Sequence, residues 1–413
     1  MRVAVFTDSF YPELGGIQDS ILATTRALGE RGHEIIVCAP AAAPTDYEIA
    51  KLPLGEIDLG ENVTVRRLFS LPIPSSTRQS RLLVPTCRRW RELVRFRPDI
   101  VHSHTFLGAG WEALNVARRL RVPLVGTNHW AIGEFGSYLP FAARLFARAS
   151  VKAVTGYYSR CARVTGPSNS VVDEMRAFGL RRPATVVSNP VDTSLFHPPT
   201  TAEKICLKSR FGFSNATILY AGRLAIEKNI DVLIRALALL KHEVPPVMLA
   251  LAGHGTARGR LERLARELNI ADRVRFLGTL DKRTLADAYR AADVFCIAST
   301  SETQSMVLLQ AMSSGLPAVG ARWRALTEYI PDAAGFLAEA GRHEDFAAKL
   351  ATVLRQPSLR ASMGDYAGRF AQRFCTANVV AMWEDVYAST LLGLRPPQSR
   401  AGLLRCTQPG ALS

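Results

Sequence analysis

No run of about 20 apolar residues occurs in the 413-residue chain, so no segment reads as a membrane-spanning helix. Cysteine is scarce: seven residues, at 38, 87, 161, 206, 296, 375 and 406, none of them in a C-x-x-C pair. That spacing suggests neither a zinc site nor a disulfide framework, and an odd number of scattered thiols fits a reducing, cytoplasmic setting. D-x-D is absent, and with it the clustered carboxylates that usually hold a divalent cation against a diphosphate. The full G-x-G-x-x-G dinucleotide fingerprint is also missing. The opening MRVAVFTDSFYP reads as a short strand ending in turn residues rather than as a signal peptide.

Acidic residues are the minority charge, 36 against 51 lysines and arginines, for a net charge of +15. Such a surplus favours anionic partners: nucleic acid, phosphorylated small molecules or an acidic membrane face. No zinc motif or RNA-recognition motif accompanies it, so a nucleic-acid partner is not expected. The composition, 48% apolar and 21% charged, is that of a globular protein. Its length calls for two domains of roughly 150–200 residues each.

Short β-rich runs alternate with helix-length segments. VAVFT (3–7), EIIVCA (34–39), DIVHSH (99–104), PLVGTN (123–128) and RVTGPS (163–168) are separated by helical patterns over 17–31 and near 109–120. The alternation restarts with TILYAG (217–222), VMLALAG (247–253), RVRFLG (273–278), VFCIAS (294–299) and PAVGA (317–321). Continuous apolar strands separated by helices are the pattern of βαβ units with a parallel sheet buried on both faces. The expected fold is therefore α/β: two doubly wound Rossmann-like domains whose strand carboxyl ends face a central cleft, where ligands bind in open α/β sheets. The expected divisions are residues 1–190, a linker over 191–205 in the Pro/Ser/Thr-rich SNPVDTSLFHPPTTAE, residues 206–375, a C-terminal helix over 376–393 packing back on the first domain, and a disordered tail over 394–413.

Several strand-to-helix turns carry candidate chemistry. AGRLAIEKN puts Arg223 just after a strand and Lys228 at the start of a helix. A planar fork and a compact point charge there suit an anion, aided by helix N–H groups, or are a pair of solvated surface cations. Gly253 and Gly255 in LAGHGTARGR would let backbone approach a phosphate or simply make a tight turn. Gly15 and Gly16 end the YPELGGIQDS loop just before a helix, again a phosphate approach or a plain loop. His102, His104 and His129 cluster in the first half without the spacing of a metal site on a helix. Each alone is a structural side chain as readily as a catalytic one, and His129, at a strand end beside Trp130, is the best placed. With no D-x-D, Arg223, Lys228 and helix ends must neutralise phosphate charge, which points to metal-independent chemistry.

PELGGI, DIVHSH, NPVDTSLFHP, YAGRLAIEKNID, LALAGHGTARGRLE, VRFLGTL and ADVFCIASTSETQSMVLLQAMSSGLPAV together resemble the retaining, nucleotide-sugar-dependent glycosyltransferases of the GT-B fold, glycosyltransferase family 4. The similarity runs over residues 1–393, and its SETQS form is similar to the branch that includes diacylglycerol glucosyltransferases. The resemblance implies that Arg223 and Lys228 hold the diphosphate of a UDP- or GDP-sugar. It implies that Glu302, first residue of an E-x7-E motif, contacts the transferred sugar, with Thr303, Gln304 and Ser305 beside it on the donor side. The second glutamate, which binds the ribose hydroxyls, falls at Gln310. A glutamine keeps an acceptor and gains two donors but loses charge-assisted hydrogen bonds. The family's active-site histidine maps onto His129 and its first-domain glycine loop onto Gly15 and Gly16; Gly253 and Gly255 fall on the donor side. The first domain would be the acceptor side, and no metal would be required.

The basic surplus is concentrated in residues 75–98, SSTRQSRLLVPTCRRWRELVRFRP, with seven arginines and one acidic residue, Glu92. Leu83, Cys87, Trp90 and Val94 recur at helical spacing, predicting a helix that begins near Pro85. Such a helix, presenting Arg81, Arg88, Arg89, Trp90 and Arg91, can lie at a membrane interface or pack one face on the core. A second basic stretch, Arg144 to Arg163, holds Arg148, Lys152 and Arg160 with Tyr157 and Tyr158. The expected partners are a nucleotide sugar, a lipid or lipid-linked acceptor and an anionic membrane surface, with the protein peripherally attached to the cytoplasmic face. A soluble or polysaccharide acceptor is the alternative, and a non-catalytic nucleotide-sugar-binding protein a third reading.

Overall fold

A computed structural model describes residues 1–13, 15–50, 52–73, 79–86, 90–131 and 151–393. The chain divides into two compact units, Met1–Pro190 together with the stretch from Thr376, and Val191–Cys375. In the first unit the strands are β1 (Arg2–Phe6), β2 (Glu34–Pro40), β3 (Val63–Leu68), β4 (Ser70–Pro72), β5 (Arg81–Leu83), β6 (Ile100–Ser103), β7 (Leu124–Thr127), β8 (Arg163–Gly166) and β9 (Ala184–Val186). Seven of them form one parallel sheet in the order β3-β2-β1-β6-β7-β8-β9, while β4 and β5 pair separately as an antiparallel ribbon.

Successive side chains of a strand point to opposite faces, and β1 shows both faces covered. Ala4 and Phe6 enter one core layer with Ile36, Cys38 and Val101; Val3 and Val5 enter another with Ile35 and Val37. That second layer is completed from far along the sequence by Val379, Val380, Trp383 and Tyr387 of the helix Thr376–Leu391. The same helix is clasped on the surface: Arg31 donates two hydrogen bonds to the Glu384 carboxylate at 2.9 and 2.7 Å, and His33 Nε2 lies 2.9 Å from it.

The second unit holds β10 (Ala216–Ala221), β11 (Val247–Ala252), β12 (Val274–Gly278), β13 (Val294–Ile297), β14 (Ala318–Ala321) and β15 (Gly335–Ala338). All are parallel, in the order β12-β11-β10-β13-β14-β15. Every residue of β10, β11, β13 and β14 is buried, which is why these strands read as unbroken apolar runs. In each sheet the strand order reverses once, between β1 and β6 and between β10 and β13. Ligand sites in such sheets gather at the carboxyl ends of strands flanking the reversal.

Two expectations are corrected. The stretch 191–205 is not a free linker: it belongs to the second unit, and a helix begins within it at Thr201. Thr200 accepts from the Glu203 N–H while Glu203 accepts from the Thr200 N–H, a capping box strong enough to start a helix in turn-rich sequence. Among the described residues, the helix expected from near Pro85 runs over Trp90–Phe96, and its apolar face is corrected. Leu83, assigned to its apolar face, lies in β5 and is buried, because Arg81–Leu83 pairs with Ser70–Pro72. Arg88, Arg89, Arg144, Arg148 and the tail 394–413 lie outside the described residues.

Candidate active site

The turn after β10 is built to leave the sheet sharply. Gly222 has φ 140, a backbone conformation that glycine adopts without steric cost. Buried Tyr220 donates its hydroxyl to the Arg223 carbonyl at 2.9 Å; burial first, then the charge of Glu302, pushes this phenol's pKa up, so it remains a donor. Arg223 is half exposed and lies 3.5 Å from Glu227. A short 3-10 turn, Ile226–Lys228, then hands over to the helix Ile230–Glu243.

Asn229 joins those two pieces in a left-handed conformation, φ 49, and its amide donates to the Ala298 carbonyl at 3.2 Å and the Thr300 hydroxyl at 3.3 Å. The loop after β10 is thereby tied to the loop after β13, across the reversal of strand order. Lys228 Nζ lies 2.7 Å from Glu302 Oε1 and 3.3 Å from the Ser301 hydroxyl. Lysine and glutamate are only 15% and 12% exposed, so their attraction is screened much less than that of a surface pair. Two residues assigned separately from the sequence thus form one half-buried ion pair at the topological switch point. Asn229, which holds their loops in register, was not singled out, although it stands in the EKN run.

Beyond Glu302, Ser305 caps the helix Met306–Ser313, its side chain accepting from the Leu308 N–H. Gln304 and Ser305 are buried and Thr303 half-buried. Gln310 lies inside this helix, 8% exposed, and its Oε1 accepts from the hydroxyl of fully buried Tyr289 at 3.5 Å.

The glycines of the next turn have a packing reason. A Cβ on Gly253 would stand 1.8 Å from the Gly222 carbonyl oxygen, and one on Gly255 would stand 2.2 Å from that of Leu224. The loops after β10 and β11 are laced by backbone hydrogen bonds, Gly222 N–H to the Ala252 carbonyl at 2.9 Å and Leu224 N–H to that of His254 at 3.0 Å. Tight backbone packing accounts for both glycines and holds the Arg223 loop in place.

In the first unit the three histidines come together at the ends of β6 and β7. His129 Nε2 lies 3.0 Å from His104 Nδ1, with the rings stacked at 5.3 Å. His102 packs at 4.1 Å from His104 and at 4.7 Å from Trp383, and its two nitrogens meet the Tyr387 hydroxyl at 2.8 Å and the Thr127 hydroxyl at 2.7 Å. Burial pushes His102 down to about 3 and His129 down to about 4, and His104 well below its ordinary value. All three are neutral near pH 7, so one of His104 and His129 donates and the other accepts. Taken singly His104 carried no signal; strand pairing makes it the partner of His129. Among the described residues no group of three or more His, Cys, Asp or Glu side chains is arranged to hold a metal ion.

Across the first unit's own reversal, buried Asp8 accepts from the Leu83 N–H at 3.0 Å and from the Ala109 N–H at 3.2 Å. Its pKa is raised by burial, with those hydrogen bonds opposing. Gly15 and Gly16, exposed, stand at the start of the helix Gly16–Glu30, which no side chain caps.

The basic stretches are only partly surface. Arg91 is exposed, but Trp90 is half-buried beneath the Arg119 guanidinium at 5.6 Å, and Arg81 is turned to Ser70 and Asp46. Tyr157, Tyr158 and Arg163 are buried; these tyrosines therefore face the core, not a membrane. The arginine meets Thr390 at 3.1 Å and Thr185 at 3.4 Å.

Two doubly wound parallel units with their polar residues at the strand carboxyl ends define the GT-B class. Anabaena HepE, solved in complex with UDP, has this fold: the TM-score is 0.74 at 20% identity, covering 94% of this chain and 100% of that one. The family described as Glycosyltransferase Family 4 matches residues 14–195, and Glycosyl transferases group 1 matches residues 208–370. A GDP-mannose-dependent alpha-mannosyltransferase of Mycobacterium tuberculosis is 30% identical over 77% of this chain and 78% of its own length. Alpha-monoglucosyldiacylglycerol synthase of Streptococcus pneumoniae is 26% identical over 87% of this chain and 80% of its own. The chain belongs to glycosyltransferase family 4 and is a glycosyltransferase.

Proposed function

We propose that the protein moves a hexose from a UDP- or GDP-sugar to a hydroxyl of a lipid or lipid-linked acceptor, with retention of anomeric configuration, at the cytoplasmic face of a membrane. The observation that carries the reading is the half-buried Lys228–Glu302 pair across the β10/β13 reversal. A lysine poised there and the half-exposed Arg223 supply cations for a diphosphate, and no metal is assigned a part. An arriving diphosphate draws Lys228 away from Glu302 and leaves the carboxylate to accept hydrogen bonds from sugar hydroxyls. The acceptor oxygen bonds to the anomeric carbon as the bond to the diphosphate breaks, and the departing phosphate oxygen takes the acceptor's proton. Preorganised cations aimed at that developing charge lower the barrier. His129, held neutral by burial, serves as a hydrogen-bond partner for the sugar rather than as a cation. The lipid acceptor is supported by the diacylglycerol relative, and the choice of nucleotide by HepE with UDP and the GDP-mannose relative.

A thermal-shift panel of UDP- and GDP-sugars tests the donor, since a ligand of the native state raises its melting temperature. The stabilising sugar nucleotide is then used with a lipid extract. Glu302→Ala is expected to lose transfer by a factor of about 100 or more, in the range of removing a group that stabilises developing charge. Undiminished transfer takes Glu302 out of the site, and no shift with any sugar nucleotide overturns the donor assignment.

A further inference from the structure

The antiparallel ribbon of the first unit wears its pattern inside out. Ser70 and Leu83, paired across it, are buried, and Leu83 sits in the core with Leu93 and Ala113. On the alternate positions Phe69, Leu71 and Ile73 are 52%, 49% and 37% exposed. Leu82, half-buried, is directly opposite Leu71. The Val84 N–H bonds the Phe69 carbonyl at 3.1 Å just beyond the paired residues. Alternation along a strand ordinarily gives the solvent side polar residues, so this face is apolar where folding alone does not ask for it. The ribbon is also firmly held, Arg81 bonding Ser70 Oγ at 3.0 Å and Leu83 N–H bonding Asp8.

A helix that shares the ribbon's packing partner carries basic residues. The helix Trp90–Phe96 and β5 both pack on the helix Gly108–Leu120. Arg91, Arg95 and Arg97, in and just after the short helix, are exposed and have no acidic partner among the described residues. Apolar side chains that can enter the acyl boundary, beside arginines that can meet phosphate headgroups, are the chemistry of a monolayer-binding surface. We infer that Phe69, Leu71 and Ile73 dock this protein on an anionic lipid bilayer. The role expected of a Trp90 helix face thus passes to the ribbon, with the arginines as its electrostatic rim. The inference deepens the lipid-acceptor reading and is tested apart from it.

Full-length protein is sedimented with vesicles of phosphatidylcholine alone and of phosphatidylcholine with phosphatidylglycerol, at low and high salt. Binding is expected to the anionic vesicles only and to weaken with salt. The double substitution Phe69→Ser/Leu71→Ser is expected to reduce it by about 10-fold or more, with melting temperature and hydrolysis of the stabilising nucleotide sugar unchanged. Vesicle binding that survives the double substitution overturns the inference. So does a concentration-dependent dimer, seen by ultracentrifugation and abolished by it, which makes the face a protein interface. Ribbon-dependent binding without any glycosylated lipid leaves the docking surface standing and removes the lipid acceptor; glycosylated lipid with ribbon-independent binding does the reverse.

Discussion

Gln310, which falls where the family resemblance implies a carboxylate, is buried enough to make the difference between amide and carboxylate measurable. Its side-chain oxygen meets the hydroxyl of Tyr289, whose pKa burial raises well above its ordinary value, so the phenol donates and the side chain at 310 must accept. Gln310→Glu keeps that acceptor and adds charge. Donor affinity measured by calorimetry is expected to tighten or stay unchanged, while the ligand-free protein loses ~1–3 kcal/mol for desolvating a carboxylate. A large loss of donor affinity means that the glutamine amide makes a contact of its own. Arg223, Lys228, Glu302 and His129 were each legible as residue types at strand ends. The Lys228–Glu302 contact was not, because its partners are 74 positions apart and nothing in either motif encodes their meeting. His104 was set aside for the same reason: its value lies in a neighbour 25 positions away.

At the scale of elements, the buried parallel strands were readable because their apolar runs are continuous; of the edge strands only β12 was read, as RVRFLG, and β3, β9 and β15 were not. β3 is only half-buried and β9 has three residues, so neither carries a strong pattern. Leu83 was misassigned to a helix face because period-2 and period-3.6 readings coincide over a few apolar positions. The Gly253 and Gly255 turn gives a sharper test of how the loops are held. Gly255→Ala places a methyl 2.2 Å from the Leu224 carbonyl and is expected to cost roughly 2–4 kcal/mol in urea unfolding, as overpacking does at its severe end. Gly259→Ala, a few residues on in the helix Arg258–Glu267, meets nothing within 4 Å and is expected to be neutral or to stabilise by up to about 1 kcal/mol. Equal costs at the two positions would mean that the turn is not laced as described.

For the molecule as a whole, the histidine stack ties stability to pH. The folded-state values of His102 and His129 are lowered, to about 3 and about 4, while an unfolded histidine titrates near 6.5. Between those limits the unfolded chain binds more protons, so this contribution is complete above about pH 6.5 and is lost as pH falls toward 4. Melting temperatures measured from pH 7.5 to 4.5 are expected to fall steadily below pH 6.5. A flat profile there shows that the imidazoles are not buried neutral. That cluster leans on Trp383 and Tyr387, which the chain supplies only after it has traversed the whole second unit. Val191 and Cys375, the two ends of that unit, lie side by side as a parallel bridge. On the ribosome, the unit that begins first must therefore wait longest: the middle of the message can fold to completion while the amino-terminal sheet still lacks one wall.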